Sequence, residues 1–296
     1  MSAQALALVL LAGIVHAGWN IVAKKVGGDA RFAFFTSIWM LLVWAPLGLW
    51  LGWDAVPQWS ALQWAAVGVS GVLHVVYFVT LLRGYREADL TVVYPLARGT
   101  GPLLSAMLAV WLLDETLGTT GVLGVLGVVA GVVLIAGGSS WLRASAGGGN
   151  PVARRRMHRG LFYGVLTGVW IASYTVVDGY AVKMLALSPV LVDYMGNLVR
   201  TVLLAPVALR DRAATAALWR TQWRGALVVA LFSPIAYVLV LYAVQQAPLS
   251  HVAPAREVSM LFAALIGGRL LGEGDRALRI AGALMIAGGV AALALA

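Results

Sequence analysis

One charged residue, Arg98, stands inside an otherwise apolar stretch of the sequence. It lies in YPLARGTGP (94–102), within the apolar stretch 90–113. A charge at the centre of a bilayer costs from about 2.5 to more than 10 kcal/mol, so such a side chain must face a cavity or a partner. One interpretation is a fixed positive charge for a substrate carboxylate. The alternative is a structural arginine that binds backbone carbonyls, because Pro95 and Pro102 interrupt the hydrogen bonds of the helix.

A second arginine, Arg256, occupies a similar place in APAR (253–256). Glu257 follows it directly, and we expect this neighbour to help neutralise it, which makes Arg256 a structural residue. Two further acids, Glu115 and Glu273, each lie seventeen residues beyond one of the arginines. That separation is about 25 Å along a straight helix, so the acids cannot pair with those arginines within one helix. Both are predicted to lie at helix ends near the membrane surface.

Polar residues also recur at helical spacing. His16 and Asn20 are four residues apart and share a helix face, as do Tyr174 and Asp178. Histidine titrates near neutral pH, so His16 and His74 are candidates for a cavity lining that exchanges protons. The alternative for both histidines is a hydrogen bond that joins two helices.

Three more polar residues, Asp193, Asn197 and Arg200, fall within one arc of the apolar run 189–209. Polar side chains in lipid must point inward. Asp193 and Arg200 are about two turns apart, and we expect them to satisfy other groups and to serve packing.

The elements that position these residues follow from composition. The chain has 296 residues, of which 61% are hydrophobic and 11% charged, and no cysteine. Soluble domains are about 45–50% apolar and about 25% charged, so the chain is a membrane protein. The missing cysteines exclude a disulfide framework and thiol chemistry. The net charge of +9 lies in short loops and forms no basic stripe, which argues against nucleic-acid binding.

Ten apolar runs are each long enough to cross the bilayer as a helix. The first run has no Lys or Arg before it, so we interpret it as a membrane helix rather than a cleaved signal peptide. The predicted spans are 4–23, 32–52, 61–82, 89–112, 118–138, 160–181, 189–209, 224–245, 249–271 and 277–296.

The positive charges predict how these spans are oriented. Of the 21 Lys and Arg residues, seventeen lie in or at the edges of the loops after odd-numbered runs, Lys183 alone follows an even-numbered run, and three lie deep inside runs. Positive charges favour the cytoplasmic side. The odd loops are therefore predicted in the cytoplasm and both termini in the periplasm, in a multi-pass protein of the cell inner membrane.

The two halves of the chain resemble each other. GIVHAGWNIV (13–22) aligns with GVWIASYTVV (168–177), and a constant offset of 158 pairs Arg98 with Arg256 and Glu115 with Glu273. Each repeat holds five spans, an odd number, so the second must lie upside down relative to the first. The predicted fold is all-α, with ten transmembrane helices in two inverted five-helix repeats at 1–138 and 160–296, joined by a cytoplasmic linker at 139–159. Inverted repeats are typical of secondary transporters, which bind substrate near the midplane.

These features together resemble the EamA-type branch of the drug/metabolite transporter superfamily. The motifs that carry the resemblance are HAGWN (16–20), YPLARGTGPLLSAMLAVWLLDETLG (94–118) and APAREVSMLFAALIGGRLLGE (253–273). The resemblance implies a basket of helices around a cavity lined by spans 1, 3, 4, 6, 8 and 9. The small multidrug-resistance relatives carry a glutamate in the first helix. Here that helix offers only His16 and Asn20, which argues against a glutamate-driven cation antiport.

On this resemblance, aromatic and polar residues of the lining spans form the predicted substrate site. Their alternative role is ordinary packing in the membrane core. Proline and glycine positions in spans 4 and 9 are candidate bending points. The candidate binding residues are His16, Asn20, His74, Tyr77, Arg98, Trp170, Tyr174, Ser233 and Tyr237, and the candidate hinges are Pro95, Gly99, Pro102 and Pro254. Gly127 and Gly131 form a small-xxx-small pair that is predicted to pack between helices.

The sequence predicts transport rather than catalysis. It contains no metal-ligand spacing, nucleophile elbow or phosphate loop, so no cofactor or metal is expected. We expect an exporter of amino acids and related small metabolites that works by alternating access, as a monomer or a homodimer in the lipid bilayer. A drug or nucleotide-sugar carrier of the same fold, a membrane enzyme acting on lipid phosphates, and a scaffold protein are the alternatives.

Overall fold

The computed structural model describes residues 1–88, 90–146, 151–263 and 276–296, and within them the chain is helical, with no β-strand. A helical segment at 258–263 follows α10 after a turn at Arg256 and Glu257. The helices are α1 (Ala3–Val26), α2 (Ala30–Val43), α3 (Ala45–Ala55), α4 (Ala61–Glu87), α5 (Leu90–Leu112), α6 (Thr119–Ala146), α7 (Pro151–Lys183), α8 (Pro189–Leu209), α9 (Arg212–Gln246), α10 (Leu249–Ala255) and α11 (Arg276–Leu295).

Seven of these helices are long and apolar enough to cross a membrane, namely α1, α4, α6, α7, α8, α9 and α11. The bent pair α2 and α3 forms an eighth candidate. The protein is therefore a multi-pass membrane protein. α5 is 23 residues long but is not among these candidates, and Arg98, Pro95 and Pro102 make its sequence less apolar.

Two of the predicted spans are not single straight helices. The run 32–52 is divided at Trp44 into α2 and α3, which are bent by 67°. Pro46, in the first turn of α3, has no N–H to continue the hydrogen bonds of α2. The run 249–271 begins as α10 and is broken at Arg256 and Glu257, just after Pro254. The rest of that run, 264–271, lies outside the described residues.

The bend between α2 and α3 is fixed by a distant helix. Pro234 lies inside α9 and cannot donate to the carbonyl of Ala230. The indole nitrogen of Trp44 donates to that carbonyl instead, at 3.0 Å. The carbonyl that Pro234 leaves free in α9 is therefore satisfied by the residue at the bend after α2.

Glycines bring α6 and α11 into close contact. A Cβ on Gly131 would lie 2.5 Å from the carbonyl oxygen of Gly282, and one on Gly124 would lie 2.9 Å from that of Gly289. Later positions on α6 thus meet earlier positions on α11, so the two helices run antiparallel. The prediction that Gly127 and Gly131 pack between helices is confirmed.

Contacts between loops sort the ends of the helices into two groups. At one end, Arg31 lies 3.8 Å from Asp211, and Arg159 lies 3.7 Å from Glu87. At the other end, the amide of Gln63 donates to the carbonyl of Leu185, and the amino terminus donates to the carbonyl of Ala294. In the described residues, the loop after span 1 thus meets the loop after span 7, the loop after span 3 meets the segment after span 5, and the two termini meet each other.

Candidate substrate-binding site

Arg98 is paired with a buried carboxylate from the second half of the chain. Its Nη2 lies 2.8 Å from Oε2 of Glu257, whose side chain is 1% exposed. The same nitrogen donates to the hydroxyl of Ser259 at 3.4 Å. The packing of α5 against α10 brings these residues together. The partners found for Arg98 are therefore side chains, rather than carbonyls released by the prolines.

Arg256 shares this carboxylate less closely. Its Nε lies 3.6 Å from Oε1 of Glu257, so Glu257 does help to neutralise its neighbour, although its closer partner is Arg98. Glu257 projects towards α5, where its carboxylate lies closer to Arg98. Two arginines around one carboxylate leave one net positive charge in the centre of the helix bundle.

A tight turn places these charges. Pro254 ends the regular hydrogen bonding of α10. Beyond it, backbone hydrogen bonds join residues three apart, as in a 3₁₀ helix. The backbone N–H of Ser259 donates to the carbonyl of Arg256 at 3.2 Å, and the backbone N–H of Met260 donates to the carbonyl of Glu257 at 2.8 Å. Discontinuous helices at the midplane are characteristic of transporter binding sites.

Aromatic side chains from three helices meet beside the charges. The ring of His74 on α4 stacks on Tyr174 of α7, with 4.0 Å between ring centroids. Tyr237 of α9 meets the same His74 edge-on at 5.8 Å, and Tyr77 meets Tyr174 at 5.7 Å. Ala97, the neighbour of Arg98 on α5, packs in one cluster with Tyr174, Tyr77 and Tyr237, so the aromatic rings lie beside the part of α5 that carries the charge.

Asp178 is the site residue that the sequence-based selection missed. It lies on α7, one turn after Tyr174, and is 1% exposed. The hydroxyl of Tyr237 donates to its Oδ2, and its Oδ1 has no hydrogen-bond partner among the described residues. The four-residue spacing from Tyr174 was the available signal, since both side chains share one helix face.

The remaining predicted binding residues lie on α1, α7 and α9. Asn20 Nδ2 is 3.4 Å from His16 Nε2 on α1, and the charges of Arg98 and Arg256 act on the His16 ring. Ser233 lies one turn before Tyr237 on α9 and is half-buried. The indole N–H of Trp170 on α7 is buried without a partner among the described residues.

The candidate hinges occupy different settings. Pro95 and Pro102 lie inside the continuous helix α5, whereas Pro254 lies just before the break after α10. Gly99 faces α6, where a Cβ would lie 3.4 Å from Val133. Their role as bending points stays a prediction.

A second buried ion pair was not expected. Arg200 Nη2 lies 2.9 Å from Oδ1 of Asp193, so the expectation that these residues satisfy other groups is wrong. They are seven residues apart, and an arginine side chain is long enough to cross two helical turns. Asn197, between them, donates to the carbonyl of Ser37 at 2.9 Å.

Glu115 connects the two halves at the end of the bundle where the even loops meet. Its carboxylate accepts hydrogen bonds from Lys183 Nζ at 2.8 Å and from the backbone N–H groups of Leu249 at 2.7 Å and Ser250 at 2.8 Å. Burial alone would raise the pKa of Glu115, but these donors hold the pKa below its ordinary value. Glu115 lies at a helix end, but its partners are in α7 and α10. Glu273 lies outside the described residues.

We expect the Glu115→Gln substitution to destabilise the protein at neutral pH by about 1–3 kcal/mol, because an amide nitrogen cannot accept these hydrogen bonds. Since the pKa is lowered in the folded protein, the stabilisation is present above the ordinary carboxyl pKa and is lost as pH falls through the lowered value. The check is the melting temperature in detergent as a function of pH. In acid, the melting temperature of Glu115→Gln should approach that of the wild type. Asp114 is an exposed neighbour, and Asp114→Asn should not change stability. A gap between the two curves that persists unchanged in acid would contradict this assignment.

Comparison with known proteins adds independent information. A sequence profile described as the EamA-like transporter family matches residues 3–137 and 158–295. No curated protein shows significant sequence similarity to the chain. Among the solved structures, one described only as a crystal structure of a protein superimposes with a TM-score of 0.75. The superposition covers 100% of this chain and 99% of the other, at 15% identity, so the two share a fold.

Proposed function

Because the chain belongs to the EamA-like transporter family of the drug/metabolite transporter superfamily, we propose that it exports amino acids and related small metabolites by alternating access. The resemblance inferred from the sequence motifs is thereby confirmed at the level of the family. The substrate, the direction and the inner-membrane location are our proposals.

The observation that carries the amino-acid assignment is the pair of arginines around Glu257. One net positive charge in a low-dielectric bundle is costly unless a ligand neutralises it, and an amino-acid carboxylate suits an arginine. The aromatic rings of His74, Tyr77, Tyr174 and Tyr237 offer a wall that accepts side chains of many shapes.

Helix packing supports alternating access by two inverted halves. In the proposed repeat, α1 corresponds to α7, and α4 to α9. The contact of α1 with α9 then corresponds to that of α7 with α4, and both contacts are extensive. α6 and α11 are the last helices of the two proposed repeats, and their antiparallel contact is compatible with a two-fold axis that relates the two halves. We propose that the halves, each with five spans, rock around the site between them.

The proposed orientation has its own test. A reporter that is active only in the periplasm, fused after Ala296, should be active, because both termini are proposed to lie outside. A reporter active only in the cytoplasm, fused at the same place, should be silent. The reverse pattern would overturn the orientation and leave the fold unaffected.

The substrate class is tested with purified protein in liposomes loaded with unlabelled substrate. We expect counterflow of labelled amino acids that have different side chains, and little movement of nucleotide sugars or cationic drugs. Counterflow of a nucleotide sugar or a drug, with none of any amino acid, would replace the proposed substrate class.

A further inference from the structure

Asp178 differs from the other buried carboxylates in the described parts of the chain. Glu257 is paired with Arg98, Asp193 with Arg200 and Glu115 with Lys183, each at 2.8 or 2.9 Å. For Asp178, no lysine or arginine among the described residues lies within ion-pair distance. An isolated ionised carboxylate in an apolar interior is strongly unfavourable, so this group requires a proton or a cationic ligand.

The groups that face Asp178 are polar but provide no neutralising ion pair. Tyr237 of α9 donates its hydroxyl to Oδ2, and Ser70 of α4 faces the same carboxyl. His74 Nδ1 lies 2.9 Å from the Ser70 carbonyl and 3.4 Å from its hydroxyl, so the histidine is engaged with its own helix. From α8, Arg200 and Asp193 act on Asp178 from beyond ion-pair distance and are bonded to each other.

Two further residues lie near Asp178 on its own helix. On its own helix Tyr174 lies one turn away, with its ring stacked on His74. From α10, the apolar side chain of Leu249 packs against the neighbouring Gly179, where a Cβ would lie 2.8 Å away. The unpartnered Oδ1 is thus a buried acceptor beside the aromatic wall.

We propose that Asp178 is a proton-binding site for which the ammonium group of the substrate competes, so that the protein exchanges a proton for an amino acid. This inference rests on the proposed function. The substrate carboxylate binds near Arg98 and Arg256, and the ammonium group reaches Asp178 past the ring of Tyr174, whose face favours a cation. In the empty state a proton bonded to Oδ1 keeps the carboxyl neutral. Arrival of the ammonium group releases that proton to water, and its departure allows a proton to bind again.

The closing experiment uses wild-type protein in liposomes with an acidic interior, with potassium and valinomycin holding the membrane potential near zero. If one proton leaves for each amino acid that enters, a labelled amino acid should reach an internal concentration up to about tenfold above the external one for each pH unit, since one pH unit corresponds to about 1.4 kcal/mol. Asp178→Asn should keep counterflow without a pH gradient, at a raised KM, and lose accumulation driven by the gradient. Asp54→Asn, an exposed acid outside the site, should behave as wild type.

A second measurement does not depend on the stability of the variant. Wild-type protein in weakly buffered detergent solution should release up to one proton per bound amino acid, as read by a pH dye. The 2-hydroxy analogue, which has no ammonium group, should release none. Counterflow without any response to the pH gradient or any proton release would overturn the inference, as would gradient-driven accumulation by Asp178→Asn equal to wild type. Absence of wild-type counterflow for every amino acid would instead refute the proposed function.

Discussion

Replacing Arg98 with glutamine should abolish amino-acid transport and destabilise the folded protein by about 3–5 kcal/mol, the usual effect of removing one partner of a buried ion pair. Glu257 is 1% exposed and would lose the cation at 2.8 Å, leaving only Arg256 at 3.6 Å. The measurements are counterflow in liposomes and the melting temperature in detergent. Arg83→Gln is the matched control, because Arg83 is 65% exposed in its pair with Glu87 and should contribute little to stability.

The double variant Arg98→Gln with Glu257→Gln separates binding from folding. It removes the pair at 2.8 Å and leaves Arg256 as the one charge of this group, so the comparison with the single variant shows how much of the lost stability comes from Glu257 without its close cation. It should not recover transport, because Arg98 is proposed to bind the substrate carboxylate. A double variant that transports at the wild-type rate would show that Arg98 is only structural. Arg98→Lys keeps the charge and should keep part of the activity, although a lysine cannot contact Glu257 and Ser259 in the same geometry.

Two adjacent glycines of α11 should respond very differently to the same substitution. A Cβ on Gly289 would lie 2.7 Å from the carbonyl oxygen of Gly124 and 2.8 Å from atoms of Val128, whereas a Cβ on Gly288 would meet nothing within 4 Å. Gly289→Ala should therefore destabilise the protein by about 1–3 kcal/mol, as overpacking does, because the obstruction includes backbone that cannot rotate away. Gly288→Ala should be neutral or slightly stabilising.

Thermal unfolding of the two variants in detergent gives the comparison directly. Gly131→Ala should behave like Gly289→Ala, because its Cβ would lie 2.5 Å from the carbonyl oxygen of Gly282 in the same antiparallel contact. Equal melting temperatures for Gly288→Ala and Gly289→Ala would mean that α6 and α11 do not pack in this way.

Local patterns in the sequence predicted most of the helices. The run 189–209 coincides with α8, and the spacing of Gly127 and Gly131 identified the contact with α11, because both signals lie within one segment. The break in the run 32–52 was missed because Trp44 is satisfied by Ala230, which lies 186 residues away. Pro46 by itself did not predict the break, because a proline can also stand within a continuous apolar run.

The predicted site was incomplete for the same reason. Arg98 was identified because a charge in an apolar stretch needs an explanation, but its partner Glu257 lies in the other half of the chain. Asp178 looks like one member of a polar helix face in the sequence. That no described basic side chain lies within ion-pair distance of it becomes apparent only when the partners of Glu257, Asp193 and Glu115 are known.

The most direct test of a polar substrate site inside the membrane bundle uses the absence of cysteine from the chain. In Ser233→Cys, a single thiol one turn before Tyr237 should react with a water-soluble maleimide, and a transported amino acid should slow that reaction. Leu284 of α11 is 69% exposed on the outside of the bundle. In Leu284→Cys, the thiol should therefore face lipid and react slowly, whether or not substrate is present. A Ser233→Cys thiol that reacts as slowly as the lipid-facing thiol, or whose reaction no amino acid slows, would contradict a water-accessible substrate site at this place.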